Sequence, residues 1–72
     1  MPFPFEDFLY KYCRVEFQFS ENPPRSMDYD GVVDAVVREG DEMDHLVLNV
    51  RYAGRVPIQL NAIVSIQEIP RE

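Results

Sequence analysis

The chain has 72 residues, one cysteine and a formal net charge of −6. A chain this short forms a single small domain (residues 1–72) of marginal stability, because it buries only about 60% of the surface that its unfolded form exposes. The single Cys13 excludes a disulfide within the chain, and the acidic balance disfavours non-specific binding to nucleic acid or anionic membranes.

The first eight residues, MPFPFEDF, lack the basic segment and apolar run of a signal peptide. No run of about 20 apolar residues indicates a membrane span. We therefore expect a cytoplasmic protein with no membrane partner.

The next residues predict a short N-terminal α-helix over residues 5–13. Four apolar side chains recur at i, i+3, i+4 and i+7 and so share one helical face, namely Phe5, Phe8, Leu9 and Tyr12. A helix this short is marginal alone, so we expect it to pack on another element.

Five short strands are predicted between residues 14 and 69. The segment CRVEFQF alternates apolar and polar side chains, with Cys13, Val15, Phe17 and Phe19 on one face. Two prolines and several turn formers predict a loop over residues 20–31, the end of which can belong to the next strand. The remaining strands are predicted at GVVDAVVRE (31–39), HLVLNVRY (45–52), RVPIQL (55–60) and VSIQEI (64–69).

Short connections join these strands. GDEMD and AGR predict turns, and NAI predicts a single turn before the last strand. Pro57 has no N–H for a ladder, so we expect a free edge beside it, or a position where no bond is needed. The fold class is mainly β: a short N-terminal α-helix followed by a five-stranded, strongly bent antiparallel small barrel over residues 14–69.

This order of elements resembles the Sm-like family, in particular its Hfq-like members. FEDFLYKYC leads directly into RVEFQF, Gly31 matches a glycine early in strand two, and DEMDHLVL and NAIVSIQEIP resemble the family's first motif and its end. The resemblance implies a homo-oligomeric ring in which strand four pairs with strand five of the next subunit. A barrel of the Src-homology-3 type is the alternative fold.

The resemblance also implies ligand-contacting positions. His45 stands where the family has a base-contacting asparagine, and Gln59, Leu60 and Asn61 stand where it has a basic motif. The residues implied to bind a nucleotide or short RNA at subunit interfaces are Asp44, His45, Gln59 and Asn61.

A second candidate contact is the segment RYAGR. Arg51 and Arg55 flank Tyr52, an arrangement that can hold a phosphate and stack a base. The same segment also predicts a hairpin turn at Gly54, with arginines that deter pairing at the strand edge.

His45 lies beside three carboxylates in DEMDH, and such side chains bind divalent ions. A catalytic zinc site, however, typically uses three protein ligands in fixed geometry, so a solvated turn is the favoured interpretation, and we expect no metal and no cofactor. Cys13 lies in the inward row of a strand, where a thiol is inert, and no nucleophile has a recognisable base partner. We therefore expect that the protein is not an enzyme.

Two function hypotheses follow. The first is a non-enzymatic Sm-like protein that assembles as a ring or smaller symmetric homo-oligomer and binds a nucleotide or short RNA. The aromatic side chains crowded into the first nineteen residues would serve self-association. The second is an acidic protein-binding module, such as a phage or mobile-element inhibitor, that engages a basic partner surface.

Overall fold

The computed structural model describes residues 3–70, apart from the side chain of Asp41. The strands are β1 (Tyr12–Glu21), β2 (Pro24–Val37), β3 (His45–Val50), β4 (Gly54–Gln59) and β5 (Ile63–Glu68). They form one antiparallel sheet in the order β4-β3-β2-β1-β5. Short 3₁₀ helices form the N-terminal turn (Phe5–Phe8), the acidic turn (Asp41–Met43) and the final turn (Leu60–Ala62).

The α-helix predicted over residues 5–13 is wrong, since only the N-terminal turn is helical. Tyr10 has a φ of 65°, a left-handed conformation that a right-handed helix cannot continue through. The Tyr10 N–H donates to the Val33 carbonyl at 2.8 Å, and the Val33 N–H donates to the Lys11 carbonyl at 3.1 Å. Residues 10–13 therefore pair with β2 instead of forming a helix, which would be too short to be stable alone.

The loop predicted over residues 20–31 is also wrong for most of its length. Only Asn22 and Pro23 separate β1 from β2. Pro24 occupies the first position of β2, where a strand tolerates a missing N–H. Farther along, Tyr29 pairs with Val15, so the alternation of β2 begins well before the predicted start of this strand at Gly31.

The sheet must curl strongly, because the three residues of the final turn join its two opposite edges, β4 and β5. In a flat sheet these edges would lie about 19 Å apart, whereas the connection from Gln59 to Ile63 spans at most about 14 Å. Among the described residues β4 and β5 do not pair, so the sheet is not closed and the predicted barrel is not confirmed. The five antiparallel strands and the single turn before the last strand are confirmed.

Irregularities in register bend the strands. The pairing shifts at Phe19 in β1, at Asp34 in β2 and at Val64 in β5, and each such bulge adds a residue that bends and twists its strand. Gly31 lies where β2 passes closest to β3, because a Cβ there would overlap the Asn49 carbonyl oxygen and lie 2.9 Å from the carbonyl carbon.

Pro57 lies on an edge strand, as predicted. The Leu60 N–H donates to the Asp44 carbonyl at 3.1 Å, and hydrogen-bonded pairs alternate along an antiparallel ladder. Ile58 therefore bonds to β3, and the nitrogen of Pro57 faces the free side of the sheet.

The core lies inside the curl, beneath the N-terminal turn. It is built from Phe5, Cys13, Val15, Val33, Leu46, Leu48, Val50, Ile58 and Leu60. Helices long and apolar enough to cross a membrane are absent from residues 3–70.

Candidate functional site

The residues predicted to contact a ligand fall into two groups at opposite ends of the β3–β4 hairpin. Asp44, His45, Gln59 and Asn61 lie at one end, and Arg51, Tyr52 and Arg55 lie at the tip. Six residues along β3 separate His45 from Arg51 by about 20 Å, and four residues along β4 separate Gln59 from Arg55 by about 13 Å, so the structure does not unite the two groups in one site.

A cleft of about 400 Å³ lies at the first of these ends and is named here the polar cleft. It is lined by Gln18, Phe19, Ser20, Glu21, Glu42, Gln59, Asn61 and Ala62. Of the predicted contacts, only Gln59 and Asn61 line it.

The polar cleft forms because β1 extends beyond its pairing with β5, which stops at Phe17 and Ile63. The bulge at Phe19 leaves that residue unpaired with β2, and its side chain is 56% exposed. The final turn then carries Asn61 to the opposite wall.

Hydrogen bonds fix two of the amide side chains in this cleft. The Gln59 Nε2 donates to the Glu42 carbonyl at 3.1 Å, and the Gln18 Nε2 donates to the Ser20 carbonyl at 2.9 Å. The Oε1 atom of each amide remains an acceptor. Together with the carboxylates of Glu21 and Glu42, these oxygens make the lining rich in acceptors.

The lining contains no lysine, arginine or histidine, and most cations of the described chain are engaged elsewhere. The ion pairs of the described chain are Arg38–Glu6 at 2.8 Å, Arg14–Asp30 at 2.9 Å, Arg55–Asp34 at 2.9 Å, Lys11–Glu68 at 3.8 Å and Arg38–Asp44 at 4.0 Å. The Arg14 guanidinium holds the pKa of Asp30 below its ordinary value through two hydrogen bonds. Glu21 and Glu42 have no ion-pair partner within residues 3–70, so no ion pair of the described chain neutralises these two carboxylates of the lining.

Asp44 and His45 are bound to the backbone around the acidic turn rather than to the cleft. The Gly40 N–H donates to Asp44 Oδ1 at 2.6 Å. The His45 Nδ1 lies 3.0 Å from the Met43 carbonyl, and because a carbonyl only accepts, Nδ1 carries the proton. Among the side chains that the structure describes, no three from His, Cys, Asp and Glu come close enough together to hold a metal ion.

The hairpin tip presents an exposed aromatic ring. Tyr52 is 93% exposed, and the Arg51 guanidinium lies 5.0 Å from its ring centroid. Arg55 instead binds Asp34, so only one of the two predicted arginines stays with the ring. The predicted hairpin turn is confirmed, with the Ala53 N–H donating to the Val50 carbonyl at 3.1 Å.

Six cleft residues were not among the predicted ligand contacts, namely Gln18, Phe19, Ser20, Glu21, Glu42 and Ala62. Alternation along β1 placed Phe19 on the inward face, but the bulge turns its ring towards solvent. The available signal was the run of polar residues directly after that phenylalanine.

No protein-family model matches the chain, and neither a curated protein nor a solved structure matches it. The resemblance to the Sm-like family therefore stays a prediction.

Proposed function

We propose that the chain is a non-enzymatic protein-binding module whose polar cleft receives a lysine or arginine side chain from a basic surface of a partner. One observation carries this proposal: the cleft is lined by two glutamates, three amide residues and the exposed Phe19, with no cationic residue in its lining.

The chemistry of the lining matches a guanidinium or ammonium group. Such groups donate hydrogen bonds and accept none, and a cleft rich in acceptors satisfies them. The ring of Phe19 offers a face for a cation–π contact. A phosphate would instead meet the carboxylates of Glu21 and Glu42. The net charge of −6 would steer a basic partner towards the protein and make association salt-sensitive.

The test is calorimetric titration with a short arginine-rich peptide. Replacing Glu21→Gln and Glu42→Gln together should weaken binding by about tenfold or more, because each replacement removes a charge-assisted hydrogen bond. The matched control is Asp7→Asn with Glu39→Gln, which changes the net charge equally at two exposed carboxylates that make no ion pair within the described chain. Equal losses in the two double variants would show attraction by net charge alone and would contradict the proposal.

A second candidate is the Sm-like homo-oligomer that binds a nucleotide or short RNA. It is favoured by the two unpaired edges of the sheet, β4 and β5, which are the strands that pair between subunits in Sm-like rings. The exposed Arg51–Tyr52 pair supplies a cation and a stacking face for a base.

This candidate is tested with labelled oligo-uridine, oligo-adenine and free nucleotides at low salt. It predicts binding that Arg51→Ala and Tyr52→Ala weaken. Arg25→Ala serves as the control, because Arg25 is an exposed cation with no carboxylate partner among residues 3–70. Absence of binding in every titration would remove the candidate.

A further inference from the structure

The two edges of the sheet differ in how they are protected. On β4 the nitrogen of Pro57 faces the free side and cannot donate, a device that deters edge pairing. The segment Ile63–Glu68 of β5 contains neither proline nor a basic side chain. The unprotected edge of the sheet is therefore β5.

The backbone of β5 offers hydrogen bonds on that free side. The Ile69 N–H donates to the Tyr12 carbonyl at 3.0 Å, which sets the alternation of the β1–β5 ladder. By this alternation Gln67 bonds to β1, while the N–H and carbonyl groups of Ile66 and Glu68 face outward.

An apolar groove of about 500 Å³ lies beside the same strand. It is lined by Phe3, Phe5, Leu60, Ile63, Val64, Ser65 and Ile66. The side chains of Val64 and Phe3 are 60% and 50% exposed, so this edge combines free backbone groups with uncovered apolar surface.

We infer that the edge of β5 pairs with the same edge of a second copy of this chain, antiparallel and about a two-fold axis at Ile66. Ile66 of each copy then exchanges both backbone hydrogen bonds with Ile66 of the other. Glu68 faces Val64 of the other copy, and the two apolar grooves meet at the axis. The result is one continuous sheet of ten strands.

The proposed register places no like charges opposite each other, which makes a second copy a compatible occupant of this edge. Glu68 is the only charged residue on β5. In the two-fold arrangement it faces a valine rather than another glutamate, and Lys11 lies 3.8 Å from its carboxylate. Pairing β5 with β4 of another copy would instead leave one outward carbonyl opposite Pro57 without a donor. An isologous dimer is also the commonest closed assembly.

The inference is independent of the ligand of the polar cleft, so either can fail alone. It is tested by light scattering and by amide hydrogen exchange on the complete chain across a range of protein concentrations. The expected result is a species of twice the chain mass at high concentration, with the Ile66 and Glu68 amides becoming protected as it forms.

Variants identify the strand that pairs. Glu68→Pro removes an outward N–H, and Val64→Glu places a second carboxylate opposite Glu68 of the other copy, where like charges repel. Each variant should yield a folded monomer, with the fold checked by circular dichroism. Gln59→Pro is the matched control on β4, where Gln59 already has a φ of −62° that suits proline. This control should remain a dimer.

Several results would overturn the inference. A chain that is monomeric at every concentration would show that the β5 edge does not pair with a second copy of this chain. A dimer that survives both Glu68→Pro and Val64→Glu would form through another surface. An assembly larger than a dimer that Gln59→Pro abolishes would establish pairing between β4 and β5.

Discussion

Arg38 binds the carboxylate of Glu6 through two hydrogen bonds, from Nε to Oε2 at 2.8 Å and from Nη2 to Oε1 at 3.0 Å. The same Nη2 donates to the Phe3 carbonyl at 3.0 Å, and the guanidinium lies 5.8 Å from the ring centroid of Phe5. The planar fork of arginine matches a carboxylate in this way. Arg38, directly after β2, thus stabilises the N-terminal turn in its position over the core.

This contact makes the N-terminal turn sensitive to acid. The hydrogen bonds from Arg38, followed by a backbone hydrogen bond, lower the pKa of Glu6 from 4.5 to about 2. Because the folded pKa lies below the unfolded value, the stabilisation is fully present above pH 4.5 and is lost as the pH falls from 4.5 towards 2.

Carbon-13 chemical shifts of the Glu6 carboxyl group, followed against pH, measure this effect. We expect a midpoint well below 4.5 in the unmodified chain and a return towards 4.5 in Arg38→Gln. The same midpoint in both proteins would contradict the account of the ion pair.

The hairpin tip stores backbone strain at Tyr52. Its φ of 72° is a left-handed conformation that costs an ordinary residue about 1 kcal/mol or more and costs glycine little. Tyr52→Gly should therefore be more stable than Tyr52→Ala by about 1 kcal/mol in urea unfolding. The alanine variant is the control, because it loses the same ring and the same contact with Arg51 but keeps the strain. Equal stabilities would mean that the turn relaxes around alanine.

The close approach of β2 to β3 depends on Gly31. Gly31→Ala would force its Cβ against the Asn49 carbonyl group and to within 3.2 Å of the Leu48 Cγ. Overpacking of this kind costs about 1–3 kcal/mol in free energy of unfolding. Asp28→Ala, an exposed change on the same strand, should change stability by no more than about 0.5 kcal/mol. A fully stable Gly31→Ala protein would show that the strands can separate at this point.

The thiol of Cys13 should be unreactive in the folded protein. Cys13 is fully buried, and its Sγ lies 3.5 Å from the Lys11 carbonyl. Burial, followed by the charge of Glu68, raises its pKa, which lowers the fraction of reactive thiolate. Reaction with Ellman's reagent should proceed only through unfolding and accelerate with urea. Rapid labelling in buffer alone would contradict the packing of β1.

Local sequence patterns predicted a strand well where the strand itself contains apolar–polar alternation or a proline. The alternation of Cys13 and Val15 located β1, and Pro57 located an edge. The helix over residues 5–13 failed because pairing with β2 determines the backbone at Tyr10. The first half of β2 was not predicted as a strand, because its sequence is rich in residues that favour turns. Pairing with β1 keeps these residues in an extended conformation.

The candidate site was predicted only in part, for a related reason. Gln59 and Asn61 were predicted from the resemblance to the Sm-like family, which has a ligand-contacting motif before its last strand. Phe19 was not, because a bulge reverses its face. The engagement of most cations of the described chain outside the cleft depends on contacts between distant residues, such as Arg38 with Glu6 across 32 positions. Local sequence patterns do not show which distant residues form such ion pairs.

The most direct test of the polar cleft is a map of backbone amide chemical shifts during titration with a short arginine-rich peptide. The proposal predicts that the largest changes occur at Phe19, Glu21, Glu42 and Asn61, and that added salt reverses them. Changes spread evenly over exposed carboxylates outside the cleft, such as those of Asp28 and Glu39, would contradict it.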